Sequence, residues 1–71
     1  MNVFGYVVDS DDLSSLSEVT LQASPEELKK LSDFLLSCAN SMEKDEHWEH
    51  EHYQDFTSTD SNDPDLVVVA P

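Results

Sequence analysis

Three histidines lie close together in the segment KDEHWEHEHYQDF, which covers residues 44–56. His50 and His52 are two residues apart, and His47 lies three residues before His50. Histidine nitrogen is a common zinc ligand, so three such nitrogens with a water or a carboxylate could complete a tetrahedral site. However, the chain has a single cysteine and no HExxH helix motif. We therefore predict no metal and no other cofactor, and keep a metal-binding module built on His47, His50 and His52 as the alternative.

No residue pattern in the chain is typical of a catalytic centre. The serines are numerous, but none lies in a G-x-S-x-G turn. Gly5 is the only glycine, so a glycine-rich phosphate loop cannot form. Carboxylates carry out acid–base chemistry where a cleft shifts their pKa values, whereas those of residues 44–56 are expected on an open strand face. The sequence therefore predicts that this protein is not an enzyme.

The residue types around the histidines alternate as they would in a β-strand over residues 48–56. One face of such a strand carries the aromatic and imidazole side chains, namely Trp48, His50, His52, Gln54 and Phe56. The other face is mainly acidic and carries Glu49, Glu51, Tyr53 and Asp55. Carboxylates are costly to bury, so we expect the acidic face to meet water and the tryptophan–histidine face to pack inward or border the core.

The charge of the chain limits its partners. Sixteen Asp and Glu residues against three Lys or Arg residues give a formal net charge of −13. Such a charge repels phosphate, which argues against nucleic acid and anionic membranes, and it attracts a basic protein. Cys38 is the only cysteine, so an internal disulfide is impossible, and no apolar run approaches the ~20 residues needed to cross a bilayer. We expect a cytoplasmic protein.

The clearest structural signal is the stretch SPEELKKLSDFLLSCANSM. Ser24 can cap a helix, Pro25 suits the first helical position, and Glu27 completes a capping box. A helix is therefore predicted over about residues 25–42. Apolar residues then recur at helical spacing and predict one stripe that faces the core, made of Leu28, Leu31, Leu35, Cys38 and Met42 and widened by Phe34 and Ala39.

Three further segments have strand composition: residues 2–8, 17–24 and 65–70. With the strand over 48–56 they give the order ββαββ. We therefore predict one α+β domain over residues 1–71, with a four-stranded, largely antiparallel sheet and one helix packed on one face. The valine-rich strand 65–70 is expected at the centre of the sheet. The helix can cover one face only, so the other face should meet water, a second copy of the chain or a partner.

The stretches EVTLQASPEELKKLSDFLLSCANSME, HWEHEHYQDF and DLVVVAP resemble a group of small bacterial proteins known as immunity protein 32. That group has a strand, a helix opening with S-P-E-x-L, an H-x-H-bearing strand and a closing valine-rich strand. The resemblance covers about residues 17–70. It implies an α+β fold and a role in neutralising the toxin of a neighbouring cell.

These observations predict a small acidic module that binds a protein, such as a basic toxin domain. The alternatives are the histidine-based metal module and a structural homodimer with no ligand. The residues expected to contact the partner are Glu49, Glu51, Tyr53 and Asp55 on the acidic face, with Trp48, His50 and His52 beside the core.

Overall fold

The computed structural model describes residues 1–57 and 64–71. The elements in chain order are β1 (Phe4–Gly5), β2 (Ser14–Ser15), α1 (Pro25–Lys44), β3 (His50–His52), α2 (Tyr53–Thr57) and β4 (Val67–Val69). The α+β class predicted from the sequence is confirmed. The stretch TSTDSNDPD, whose composition predicts a loop with a turn at Asp63-Pro64, lies largely on residues 58–63, outside the described residues.

Helix α1 begins where the sequence predicts and ends at Lys44. The Ser24 hydroxyl accepts the N–H of Glu27 at 3.1 Å, and the Glu27 carboxylate accepts the N–H of Ser24 at 3.1 Å. This reciprocal capping box satisfies backbone N–H groups that have no partner at the start of a helix. No helix in the described residues combines the length and the apolar character that crossing a membrane requires.

The core of the described residues is small and centres on Phe34. Phe34 and Cys38 are the only buried side chains in this part of the chain. The rings of Tyr53 and Phe56, both from α2, lie with their centroids 5.1 Å and 5.3 Å from that of Phe34. Both pairs are tilted, an arrangement that aromatic rings favour over face-to-face stacking. This aromatic cluster attaches α2 to α1.

The apolar stripe predicted on α1 is only partly buried. Leu31 and Met42 are half-buried, whereas Leu28 and Leu35 are exposed. The inward side of the helix is centred on Phe34 rather than on the leucine spacing. The small elements that pack against α1 cover a narrow band of its surface, so the margins of the stripe stay in contact with water.

In residues 1–57 and 64–71 the strands form two separate two-stranded sheets, which corrects the prediction of a single four-stranded sheet. Strands β1 and β2 pair antiparallel, with Phe4 opposite Ser15. Strands β3 and β4 also pair antiparallel, with His50 opposite Val69 and His52 opposite Val67. A hydrogen bond from the Ala70 N–H to the Glu49 carbonyl, at 2.8 Å, extends this second ladder by one step.

The strand predicted over residues 17–24 is absent, and this segment has no regular secondary structure. Val19 and Leu21, which were expected on a buried face, are exposed. The second strand lies earlier, at β2, where the Leu16 N–H donates to the Val3 carbonyl at 2.7 Å. Alternation gives a segment two faces, but a strand also needs a hydrogen-bonded neighbour, and the described residues provide none for 17–24.

Strand β4 lies at an edge, although its composition predicted a central strand. Within the described residues it pairs with β3 alone. Val68 is half-buried, whereas Val67 and Val69 on the opposite face are exposed. A sheet of two strands has one covered face and one open face, which leaves two of the three valines in water.

Residues 53–56, predicted as the end of a strand, belong to helix α2 instead. The Tyr53 N–H donates to the Leu66 carbonyl at 2.8 Å, and the Gln54 N–H donates to the Asp65 carboxylate at 3.1 Å. The chain therefore leaves the β3–β4 ladder after His52 and turns into a short helix whose first N–H groups are satisfied from the start of β4.

Candidate functional site

The open side of the β3–β4 hairpin carries the two histidines of the H-x-H step. The rings of His50 and His52 lie 5.5 Å apart, edge to face, so they project to the same side. Their cross-strand neighbours are Val69 and Val67, both exposed. We call the surface formed by His50, His52, Val67 and Val69 the histidine face.

His52 is held by a carboxylate from the start of β4. Its Nδ1 atom lies 2.5 Å from Oδ2 of Asp65, and Oδ1 of the same carboxylate accepts the Gln54 N–H at 3.1 Å. A carboxylate only accepts hydrogen bonds, so Nδ1 of His52 carries the proton in this contact. Asp65 thus fixes the orientation of the imidazole and the start of α2 together.

This contact changes the titration of both groups. The hydrogen bond to Asp65 raises the pKa of His52 above its ordinary value, with further contributions from the charges of Asp55 and Glu51, while desolvation opposes the change. For Asp65, partial burial pushes the pKa up, but the hydrogen bonds from His52 and the Gln54 N–H outweigh it and leave the pKa lowered. Each shift favours the ionised form of its group, so the contact stabilises the charged pair relative to the neutral one.

The other side of the hairpin faces α1 and reverses the predicted orientation of the strand. Glu51 is half-buried, and its charge adds to the effect of burial in raising the pKa of the Cys38 thiol. Tyr53, predicted to share a wet face with Glu51, packs on Phe34. His50, predicted to face inward, is exposed. Within β3, Glu51 is therefore the residue that lies toward α1.

The seven residues predicted to contact a partner are divided between these two sides. His50 and His52 share the histidine face, while Glu51 and Tyr53 lie toward α1. The other three lie at the two ends of the segment: Trp48 is half-buried before β3, Glu49 is exposed beside it, and Asp55 is exposed on α2.

The alternative metal site is only partly assembled. His47 lies in an exposed turn, with its Nε2 atom 3.6 Å from Oε1 of Glu46 and its N–H donated to the Asp45 carboxylate. His50 and His52 are adjacent, and His52 is already bonded to Asp65. In residues 1–57 and 64–71, no three His, Cys, Asp or Glu side chains come together as a metal-binding group.

Sequence reasoning missed the contribution of Asp65. This residue is the first of the stretch DLVVVAP, and nothing in that stretch marks it as a partner of a histidine. The antiparallel register could have revealed it. His52 lies opposite Val67, and Asp65, two residues before Val67, is therefore a diagonal neighbour of His52.

Comparison with known proteins identifies one family. The model of a family described as Immunity protein 32 matches residues 18–71. That span contains α1, β3, α2 and β4, whereas β1 and β2 lie before it. No curated protein and no solved structure matches the chain.

Proposed function

Because this chain belongs to the immunity protein 32 family, we propose that it neutralises a protein toxin by binding it directly. The family match is the observation that carries the proposal, since membership implies an immunity protein role in general. Immunity proteins are generally not enzymes, and we propose that this chain too acts by occupying a surface of the toxin. It would act in the cytoplasm, which the lone thiol of Cys38 fits.

The charge of the chain supports a basic toxin domain as the partner. A net charge of −13 attracts a positively charged protein over several ångströms and speeds their encounter. Glu49 and Asp55 are exposed at either end of the segment that carries the histidines. We propose that these two carboxylates and the histidine face form the polar part of the contact.

Growth protection tests the proposal. The protein encoded next to the gene for this chain is expressed as the candidate toxin in a bacterial host, with and without the chain, and growth is recorded. We expect the chain to restore growth. A host that dies equally with and without the chain, although both proteins are expressed, contradicts toxin neutralisation.

A matched pair of charge reversals tests the surface. Glu49→Lys with Asp55→Lys changes the net charge by the same amount as Asp11→Lys with Asp12→Lys, but the second pair lies before the residues matched by the family model. We expect the first double variant to lose protection and the second to retain it. Equal protection by both would remove Glu49 and Asp55 from the contact.

A further inference from the structure

An apolar groove lies between the N-terminal half of α1 and the short helix α2, bordered by residues 20–23 and the start of β4. Its volume is about 720 Å³. The apolar side chains that line it are Leu21, Leu28, Leu31, Tyr53, Phe56 and Leu66. All of them lie within the residues matched by the family model.

The groove leaves large apolar side chains in water. Leu21 is 57% exposed and Leu28 is 45% exposed, and Phe56 is exposed on the side of its ring that does not meet the core. A protein with so small a core gains stability by burying side chains of this kind. Contiguous apolar surface in a small soluble chain usually marks an interaction site.

Charged side chains border the groove and are mostly acidic. Glu27, Asp33 and Asp65 line it together with Lys30. The Glu27 carboxylate already accepts the Ser24 N–H, and the Asp65 carboxylate accepts a hydrogen bond from His52. Asp33 makes no ion pair in the part of the chain that the structure describes, so its carboxylate is open to a cation from a partner.

We infer that this groove receives an apolar anchor side chain of the toxin, flanked in the toxin sequence by lysine or arginine. The inference rests on the proposed function and assigns the apolar part of the same contact. The anchor would displace water from the leucines and from Phe56, while the flanking cations would meet Asp33 and the other acids at the border.

The groove is continuous with the histidine face, which favours one partner for both. Asp65 lines the groove, and its Oδ2 atom accepts the hydrogen bond from His52. Tyr53 directly follows His52 in the chain and lines the groove as well. A toxin surface that meets the histidine face therefore needs only to extend past Asp65 to place a side chain in the groove.

A second copy of this chain fits the groove less well than a basic protein. The copy would carry the same charge of −13 and only three lysines, so like charges would oppose its approach. A small-molecule ligand also fits less well. Sites for small molecules hold a few polar groups that fix the ligand, and none of the described residues is a buried polar side chain.

Two matched double variants test the inference. Leu21→Gln with Leu28→Gln removes apolar surface from the groove. Leu13→Gln with Leu36→Gln removes leucines of similar exposure, 55% and 63%, which do not line it. Circular dichroism and thermal melting check the fold of both variants. We expect both to fold as the wild type does, because all four side chains are substantially exposed.

Calorimetric titration with the purified toxin domain from the growth experiment supplies the readout. We expect the groove variant to bind at least tenfold more weakly than the wild type, and the control variant to bind within threefold. If the wild type binds and the groove variant binds equally well, the groove assignment is overturned while the proposed function stands. If the wild type does not bind the toxin, both are overturned.

Sedimentation equilibrium of the chain alone tests whether a second copy of the chain occupies the groove. We expect the wild type and both variants to show the same molecular mass. A wild-type dimer that the groove variant converts to monomer would assign the groove to a second copy and overturn the inference.

Discussion

The Nδ1 atom of His52 lies 2.5 Å from Oδ2 of Asp65, a residue thirteen positions further along the chain. The other carboxylate oxygen of Asp65 accepts the N–H of Gln54. One side chain thus ties the end of β3, the start of α2 and the start of β4 together. The hydrogen bond joins a group that is positive when protonated to one that is negative when ionised, so its strength depends on pH.

The pKa shifts of His52 and Asp65 predict a range of pH in which their contact stabilises the fold. Folding raises the pKa of His52 above 6.5, so this contribution is fully present below pH 6.5 and is lost as the pH rises through the higher pKa of the folded state. Folding lowers the pKa of Asp65 below 3.8, so that contribution is present above pH 3.8 and is lost as the pH falls through the lower value. The pair should stabilise most between these two pH values.

Thermal melting of the wild type and of His52→Gln from pH 3 to pH 9 measures this window. We expect the difference between their melting temperatures to be largest at pH 4–6 and to shrink above pH 7. His50→Gln is the matched control, since His50 lies on the same face but makes no ion pair within the described residues. A difference that stays constant across the range would mean that the two groups do not form a charged pair in solution.

Phe34 should be the side chain on which stability depends most. It is fully buried and contacts both aromatic rings of α2. Phe34→Ala should lower the free energy of unfolding by about 3–5 kcal/mol, which is enough to unfold a small domain. Leu36→Ala on the same helix, at an exposed position, should change it by less than about 0.5 kcal/mol. Chemical denaturation followed by circular dichroism compares them, and similar midpoints for the two variants would contradict a core centred on Phe34.

The capping box at the start of α1 also has a measurable effect. Ser24→Ala removes the hydroxyl that accepts the Glu27 N–H and should cost about 1 kcal/mol of unfolding free energy. Ser32→Ala, in the exposed interior of the same helix, should be neutral or slightly stabilising because alanine has the higher helix propensity. Urea denaturation tests both. Equal midpoints and slopes for Ser24→Ala and the wild type would mean that the helix begins elsewhere in solution.

We predict that zinc finds no tight stoichiometric site on this chain. Of the three candidate ligands, His52 is already bonded to Asp65, and His47 lies in a separate exposed turn. Calorimetric titration with zinc at neutral pH should show weak binding without a defined stoichiometry. If a one-to-one site appears and His50→Ala with His52→Ala abolishes it, the metal-binding module replaces the protein-binding interpretation.

The long helix could be predicted because its signals are local. Ser24, Pro25 and Glu27 lie within four residues of one another, and the cap they form needs nothing from the rest of the chain. The short helix α2 could not be predicted in this way. Its first N–H groups are satisfied by Asp65 and Leu66, which lie more than ten residues away in sequence.

The H-x-H strand was predicted correctly in its alternation and wrongly in its orientation. His50 and His52 do share a face, but that face is open and Glu51 lies toward α1. The prediction counted the cost of burying three carboxylates over a strand of nine residues. Strand β3 has three residues, so only Glu51 is affected, and it is only half-buried.

Strand β4 pairs with β3 alone in the described residues, so one of its edges is open. Because of this open edge, the acidity of the chain also affects aggregation. An exposed strand of consecutive valines is a template on which further chains can add strands and aggregate. Repulsion between chains that each carry a charge of −13 opposes this addition at neutral pH. Near the isoelectric point, about pH 4.1, that repulsion vanishes while the valines remain. Solubility should therefore have a sharp minimum there, and away from this pH we expect the carboxylates to oppose amyloid-like assembly.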